Sequence, residues 1–284
     1  MKSIGLSEVL YPISIVSFVA QVAAHHFKVG ENLIYGQVKE NGAYLIEGRT
    51  DLLIFHPNKN SVVNGMNFQI SSGRNLSVEA VVFNENYSKE RMKAINFLPV
   101  KVDDIFPNLI FYGVYRCAVQ IVTRQNFKNL QKLLALDLVV NNIKTLDEDS
   151  FDDLTNLKSV NLFRNKIEIL PDKIFQNLHE LRSVALGGNP IVALNDEHFK
   201  NNKKLEYFSI RQSRIKFLSP TMFDEIRTLR RVDLSGNVCI DKEYGTIVTI
   251  EHESNSLKYV KFTEFSEHLD RFKSYVTANC SYKL

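Results

Sequence analysis

Few side chains in this 284-residue sequence are of a type and spacing that could do chemistry. Cys117, Cys239 and Cys280 are too few for a four-Cys zinc site or a disulfide-dominated scaffold, but suffice for one bridge and one thiol. His25-His26 would place an imidazole third from a free amine if the chain began at Ala24, a geometry that chelates Cu(II) or Ni(II). Two solvated polar residues following a signal explain the pair better. The acidic pairs Asp147-Glu148 and Asp152-Asp153 read as solvated faces rather than as an acid/base couple. There is no G-x-S-x-G, H-E-x-x-H, Walker loop or G-x-G-x-x-G. The sequence therefore predicts no catalytic residue, metal site or cofactor, and leaves enzyme activity only to residues 25–108, where no motif stands.

Such chemistry as remains lies in binding, and binding needs a scaffold. The chain is 44% hydrophobic and 24% charged, with 35 basic and 32 acidic side chains. That is enough core for a folded protein and too little basic bias to suggest nucleic acid. Residues 1–24 run from Lys2 through the apolar stretch Val9–Ala20 to the small-residue triplet Val22-Ala23-Ala24. They read as a secretory signal cleaved after Ala24 or Ala23, the alternative being a buried N-terminal helix. No later stretch is apolar enough to insert into a membrane, so the expected product is secreted. On that reading Asn75, Asn86 and Asn279 are glycosylation acceptors, the last of them beside Cys280.

The scaffold is a repeat. Leucine recurs at 109, 133, 157, 181, 205 and 229, always 24 residues apart. Three residues on stand Tyr112, Leu136, Val160, Val184, Phe208 and Val232, and two further Val114, Leu138, Leu162, Leu186, Ile210 and Leu234. A polar column follows, Cys117, Asn141, Asn165, Asn189, Ser213 and Asn237, and each unit closes on a phenylalanine, Phe127, Phe151, Phe175, Phe199 or Phe223. The L-x-x-L-x-L alternation puts its apolar residues on one face of a short strand. Stacked strands make a parallel sheet, a buried Asn serves the turn that leaves it, and the rings fill the opposite side of the coil, so that no unit is stable alone.

Units such as Leu157-x-x-Val160-x-Leu162-x-x-Asn165-x-Ile167 resemble extracellular leucine-rich repeats of the 24-residue type, as in Toll-like and Slit-like ectodomains and secreted arthropod repeat proteins. The resemblance implies an α/β solenoid, a right-handed horseshoe whose parallel concave sheet binds other macromolecules, and implies no catalysis. Six units, the last partial, span 109–238. Residues 239–284 read as a C-terminal cap, with a β-like run at 244–250 and then Phe262, Phe265, Leu269, Phe272 and Val276 on one face of a helix. Such caps in the family carry four cysteines. Here Cys239 and Cys280 are placed to tie the cap down, the alternative being two buried thiols. Residues 25–108 lack the Cys knot of the family's N-terminal cap. They read as β-rich, with Asn41-Gly42 and Asn64-Gly65 as hairpin turns, a strand at 78–83 and a degenerate entering coil at 95–106. Whether they form a cap continuous with the solenoid or a separate module stays open.

The register also names the solvent side of each strand. On it fall Tyr115, Arg116, Asp137, Phe163, Arg164, Tyr207, Arg211, Arg231 and Asp233, with Gly187-Gly188 as an open gap between them. Exposed Tyr, Phe and Arg are not needed for folding and are the residues enriched at interface hot spots; the competing explanation is lateral packing along the sheet. The expectation is a non-enzymatic protein that binds a protein or glycan ligand through this face, in immune or receptor–ligand recognition, with no nucleic acid partner. The rivals are a matrix component that self-assembles as a homo-oligomer and an enzyme hidden in 25–108.

Overall fold

A computed structural model of the chain describes residues 43–45, 52–55, 80–84, 98, 100, 102–245, 249–253, 256–261 and 265–280. Ten short strands form one sheet in chain order: β1 (Ala43–Leu45), β2 (Leu52–Phe55), β3 (Ala80–Asn84), β4 (Phe111–Tyr115), β5 (Ala135–Asp137), β6 (Ser159–Asn161), β7 (Ser183–Ala185), β8 (Tyr207–Ser209), β9 (Arg231–Asp233) and β10 (Glu243–Gly245). From β2 to β9 every pairing is parallel, and from β4 onward the register advances by 24, as in Leu136↔Val160↔Val184↔Phe208↔Val232. Only the end pairs, β1/β2 and β9/β10, are antiparallel. The architecture is the solenoid that the repeat implies.

The core runs the length of the coil stack. Leu133, Leu157, Leu181 and Leu205 are fully buried, as are Leu138, Leu162, Leu186 and Ile210 two rows on. The phenylalanine column closes the other side: Phe151 and Phe175 stack at 6.3 Å and 10°, Phe175 and Phe199 at 5.6 Å and 14°. Its ends tilt, Phe127 to Phe151 at 45° and Phe199 to Phe223 at 30°. Each ring thus buries the next, and the apolar term is continuous rather than divided among domains.

The polar column is a hydrogen-bond ladder. Asn165 Oδ1 accepts the Ile143 N–H at 3.1 Å, while its Nδ2 donates to the carbonyls of Leu138 (2.9 Å) and Leu162 (3.0 Å). Asn189 repeats this with Ile167, Leu162 and Leu186, and Asn237 with Ile215, Ile210 and Leu234. Asn141 donates to Val114 and Leu138. Ser213 is too short for the same reach, and its buried Oγ has no partner among the described residues. Cys117, a buried thiol, approaches the Tyr115 carbonyl at 3.4 Å. A second polar column lies among the convex-side residues. Asn126, Ser150 and His198 each donate to the carbonyl 28 residues upstream, of Leu98, Val122 and Leu170.

Further elements flank the coil stack on both sides. Strands β2 and β3 extend the sheet beyond β4 in parallel, and a short helix α1 (Val102–Ile105) leads Phe106 into the core. The strand expected at 78–83 is β3. Ala43–Leu45 pairs with β2; the runs at 33–38 and 62–70, the segment 1–24 and the acceptors Asn75 and Asn86 lie outside the described residues. At the other end helix α2 (Leu269–Asn279) lays Phe272 and Val276 on the last coil, with Phe272 5.5 Å from Phe223. Cys239 and Cys280 are bridged, their Cα atoms 5.2 Å apart. Asn279 ends α2 with its Nδ2 donating to the Tyr275 carbonyl. Among the described residues no helix is long and apolar enough to cross a membrane.

Candidate protein-binding face

Four rows of side chains lie across β4–β9 on the side away from the leucines. The first holds Phe111, Ala135, Ser159, Ser183, Tyr207 and Arg231, the second Gly113, Asp137, Asn161, Ala185, Ser209 and Asp233. The third holds Tyr115, Val139, Phe163, Gly187, Arg211 and Ser235, the fourth Arg116, Val140, Arg164, Gly188, Gln212 and Gly236. The expectation that all of them face solvent fails for the second row and for half of the first, where Ala135, Ser159 and Ser183 are buried. Asp137 is 5% exposed and Asp233 1%, and Asn161, Ala185 and Ser209 are buried with them. The strands are too close for small side chains to stand clear of the larger ones beside them.

These buried carboxylates hold the chain where it leaves the strand. Asp137 Oδ1 accepts the Val139 N–H at 3.2 Å, Asn161 Oδ1 the Phe163 N–H at 3.1 Å, and Asp233 Oδ1 the Ser235 N–H at 3.1 Å and its hydroxyl at 2.6 Å. Asn161 Nδ2 in turn donates to Asp137 Oδ2 at 3.2 Å. Burial pushes the Asp137 carboxyl up to about 7, and the bonds from Val139, Asn161 and Tyr115 oppose that shift without cancelling it. Burial, with the Asp137 charge beside it, holds the Tyr115 hydroxyl well above its ordinary range. Asp137 and Asp233 are therefore not outward-facing ligand groups.

The fourth row carries a backbone device that the side chains do not advertise. Arg116, Val140, Arg164, Gly188, Gln212 and Gly236 all have left-handed φ, between 54° and 69°. Each lies just before the ladder residue, so the turn from strand to ladder requires this conformation in every unit. Only two of the six are glycine; Val140, β-branched, is the least suited to it.

Nor is Gly187-Gly188 a gap. A Cβ on Gly187 would lie 2.7 Å from the Arg211 carbonyl, 3.0 Å from Arg211 Cγ and 3.1 Å from Phe163 Cδ2, so neighbours on both sides lean into the space. Phe163 and Arg211 meet there, the Arg211 Cζ 5.0 Å from the ring centroid and Arg164 Cζ 5.3 Å from the same ring. Gly113 likewise makes room for the Tyr115 ring. Arg231 lies 5.7 Å from the Tyr207 ring and pairs with Glu243. Of the nine residues that the register assigned to the face, Phe163, Arg164 and Arg211 form one outward cluster, Tyr207 and Arg231 form a second, and Tyr115 is turned toward Asp137.

Comparison with known proteins identifies the repeat. A family model described as leucine rich repeat matches residues 118–167 and 179–238. The solenoid is a leucine-rich repeat domain. Among solved structures, the complex of TLR13 with ssRNA13 resembles it at a TM-score of 0.49 and 19% identity, over 61% of this chain and 26% of that one. The glycosylated Toll–Spatzle complex of Drosophila resembles it at 0.48 and 22%, over 57% and 24%. This chain thus spans about a quarter of the length of either. No curated protein sequence matches it. Among the described residues no group of three or more His, Cys, Asp or Glu could hold a metal ion.

Proposed function

We propose that the protein is secreted and works without catalysis, capturing a protein ligand on the concave face of its repeats. The observation that carries this reading is the Phe163–Arg164–Arg211 cluster. An aromatic ring flanked by two guanidinium groups on the outer side of a sheet adds nothing to the leucine core, and Arg and aromatic residues dominate interface energetics. The signal-like segment 1–24 and the acceptors Asn75 and Asn86 support the extracellular setting. Phe163 leans on Gly187 and is half-buried, so the informative variant is Arg164→Gln, whose side chain is exposed. Wild-type protein immobilised in extracellular fluid should retain a partner that can be identified and rebound in purified form, and Arg164→Gln should weaken that binding about tenfold or more at an unchanged Tm. Equal binding by the two would place the ligand elsewhere. N-terminal sequencing of protein from a secreting cell should begin at Ala24 or His25, and deglycosylation should shift its mass.

One observation favours the matrix reading. Ile121 and Ile169 occupy the same repeat position beyond the ladder and are 56% and 81% exposed. If self-assembly were the function, the sedimentation coefficient would rise with concentration and Ile169→Glu would abolish the rise. A concentration-independent monomer decides for ligand capture.

A further inference from the structure

We propose that the Phe163–Arg164–Arg211 cluster seats an acidic segment of the protein partner, the guanidinium edges taking its Asp or Glu carboxylates. This rests on the ligand-capture reading above and adds the chemistry of the ligand. Its starting point is how charge is distributed on the face. Every carboxylate in the four rows is buried and bonded: Asp137 accepts from Val139 N–H, Asn161 and Tyr115, and Asp233 from Ser235. Glu243, at the sheet edge, is held by Arg231. What projects outward from the middle repeats is guanidinium. Arg164 is exposed and makes no ion pair among the described residues, in contrast to Arg124, Arg182 and Arg231, which pair with Asp153, Glu206 and Glu243.

The geometry suits a carboxylate. Arg164 and Arg211 come from strands two repeats apart, about 10 Å by the usual strand spacing. Arg164 reaches the Phe163 ring as its neighbour in the chain, its Cζ 5.3 Å from the centroid, and Arg211 reaches it at 5.0 Å because Gly187 leaves the intervening position without a side chain. A guanidinium that contacts an aromatic ring keeps donors at its edge, arranged as the fork that binds a carboxylate through two parallel bonds. Two cations brought to one ring raise the local positive potential, which an anion at either guanidinium edge lowers.

The same geometry argues against single-stranded nucleic acid. That class of ligand stacks its bases on open aromatic faces along a basic groove. Here the Phe163 ring is flanked by two guanidinium groups, Tyr207 lies under Arg231, and Tyr115 packs over Gly113 toward Asp137.

The test uses the secreted full chain and a fluorescein-labelled peptide of alternating Glu and Gly, read by anisotropy at low salt, with a Gln-Gly peptide and labelled oligouridylate as comparisons. The Glu peptide should bind wild type, the Gln peptide should not, and the affinity should fall as salt is raised. Arg164→Gln with Arg211→Gln should lower it about tenfold or more, while Lys144→Gln with Lys166→Gln, exposed positions off this face, should leave it unchanged. Circular dichroism of each variant keeps a folding defect apart from a binding defect, and Arg164→Gln alone, on an exposed side chain, should still show a loss. The proposal is overturned if the Glu peptide fails to bind, if it binds the Arg variants as well as wild type, or if oligouridylate binds more tightly through the same arginines. Should a purified natural partner require Arg164 while the Glu peptide neither binds nor competes, the acidic-ligand proposal fails and the concave-face reading stands.

Discussion

Replacing Asp137 by Asn should make the protein more stable at neutral and alkaline pH and remove a specific part of its pH dependence. Asp137 is 5% exposed, and burial raises its pKa from 3.8 to about 7. The native state therefore binds this proton more tightly than the unfolded chain does. For a raised pKa the stability contributed by the group is fully present below the unfolded value, is lost as pH rises through the folded value, and changes no further above it. The shift is 7 − 3.8 = 3.2, which at about 1.4 kcal/mol per pKa unit amounts to about 4 kcal/mol lost between about pH 4 and pH 7. Asn carries no charge to desolvate and can accept the N–H two residues ahead as Asn161 does, but its Nδ2 replaces the oxygen that accepts from Asn161 Nδ2, which offsets the gain by about 1 kcal/mol. The assay is the urea midpoint of both proteins at about pH 4 and about pH 8, with the slope confirmed unchanged. The two should differ by about 1 kcal/mol or less in acid, and Asp137→Asn should gain up to about 3 kcal/mol at pH 8. Titrations shared by the two proteins cancel in this comparison. A midpoint difference that stayed the same at both pH values would show that Asp137 ionises alike in the folded and unfolded states, refuting the argument from burial.

Three further outcomes test the repeat itself. Val140→Gly should stabilise by up to about 1 kcal/mol in urea, because a left-handed φ of 55° costs an L-residue about 1–2 kcal/mol and glycine returns part of that as chain entropy. Ser213→Asn should stabilise by about 1 kcal/mol, since the ladder register puts the new amide beside the Ile191 N–H and the Leu186 and Ile210 carbonyls; a loss would mean that the coil there is too tight for it. Phe175→Ala should cost about 3–5 kcal/mol by calorimetry, removing a fully buried ring stacked on both sides, and a cost under about 1 kcal/mol would contradict a continuous core.

What could be read from the sequence is what the coil repeats without exception. An apolar residue recurring every 24 positions has one explanation, so the strands, the phenylalanine stack and the Asn ladder followed from spacing, and Cys239 with Cys280 from their places in the last coil and past the helix. Other features stayed hidden where the repeat fixes a conformation or an environment but not a residue type. The left-handed position accepts Arg, Val and Gln as well as Gly, because the surrounding coil over-determines its backbone. The convex polar column is broken by Ile174 and Met222, so Asn126, Ser150 and His198 do not look periodic.

Which residues lie on the outer side of the sheet was legible in the sequence, but not which of them stand clear of their neighbours. Period-two alternation separates the two sides of an isolated strand, and on that basis Asp137, Phe163 and Gly187 are equally outward. Six strands packed side by side change this: a short side chain flanked by long ones is buried by them whichever way it points. Asp137 and Asp233 thereby become fixtures of the turn, and the absence of a side chain at Gly187 becomes the space over which Phe163 and Arg211 meet. The same lateral packing that takes carboxylates off the surface leaves guanidinium groups, long enough to reach past their neighbours, as the charge exposed on it. The sign of the face is thus set less by its composition than by side-chain length.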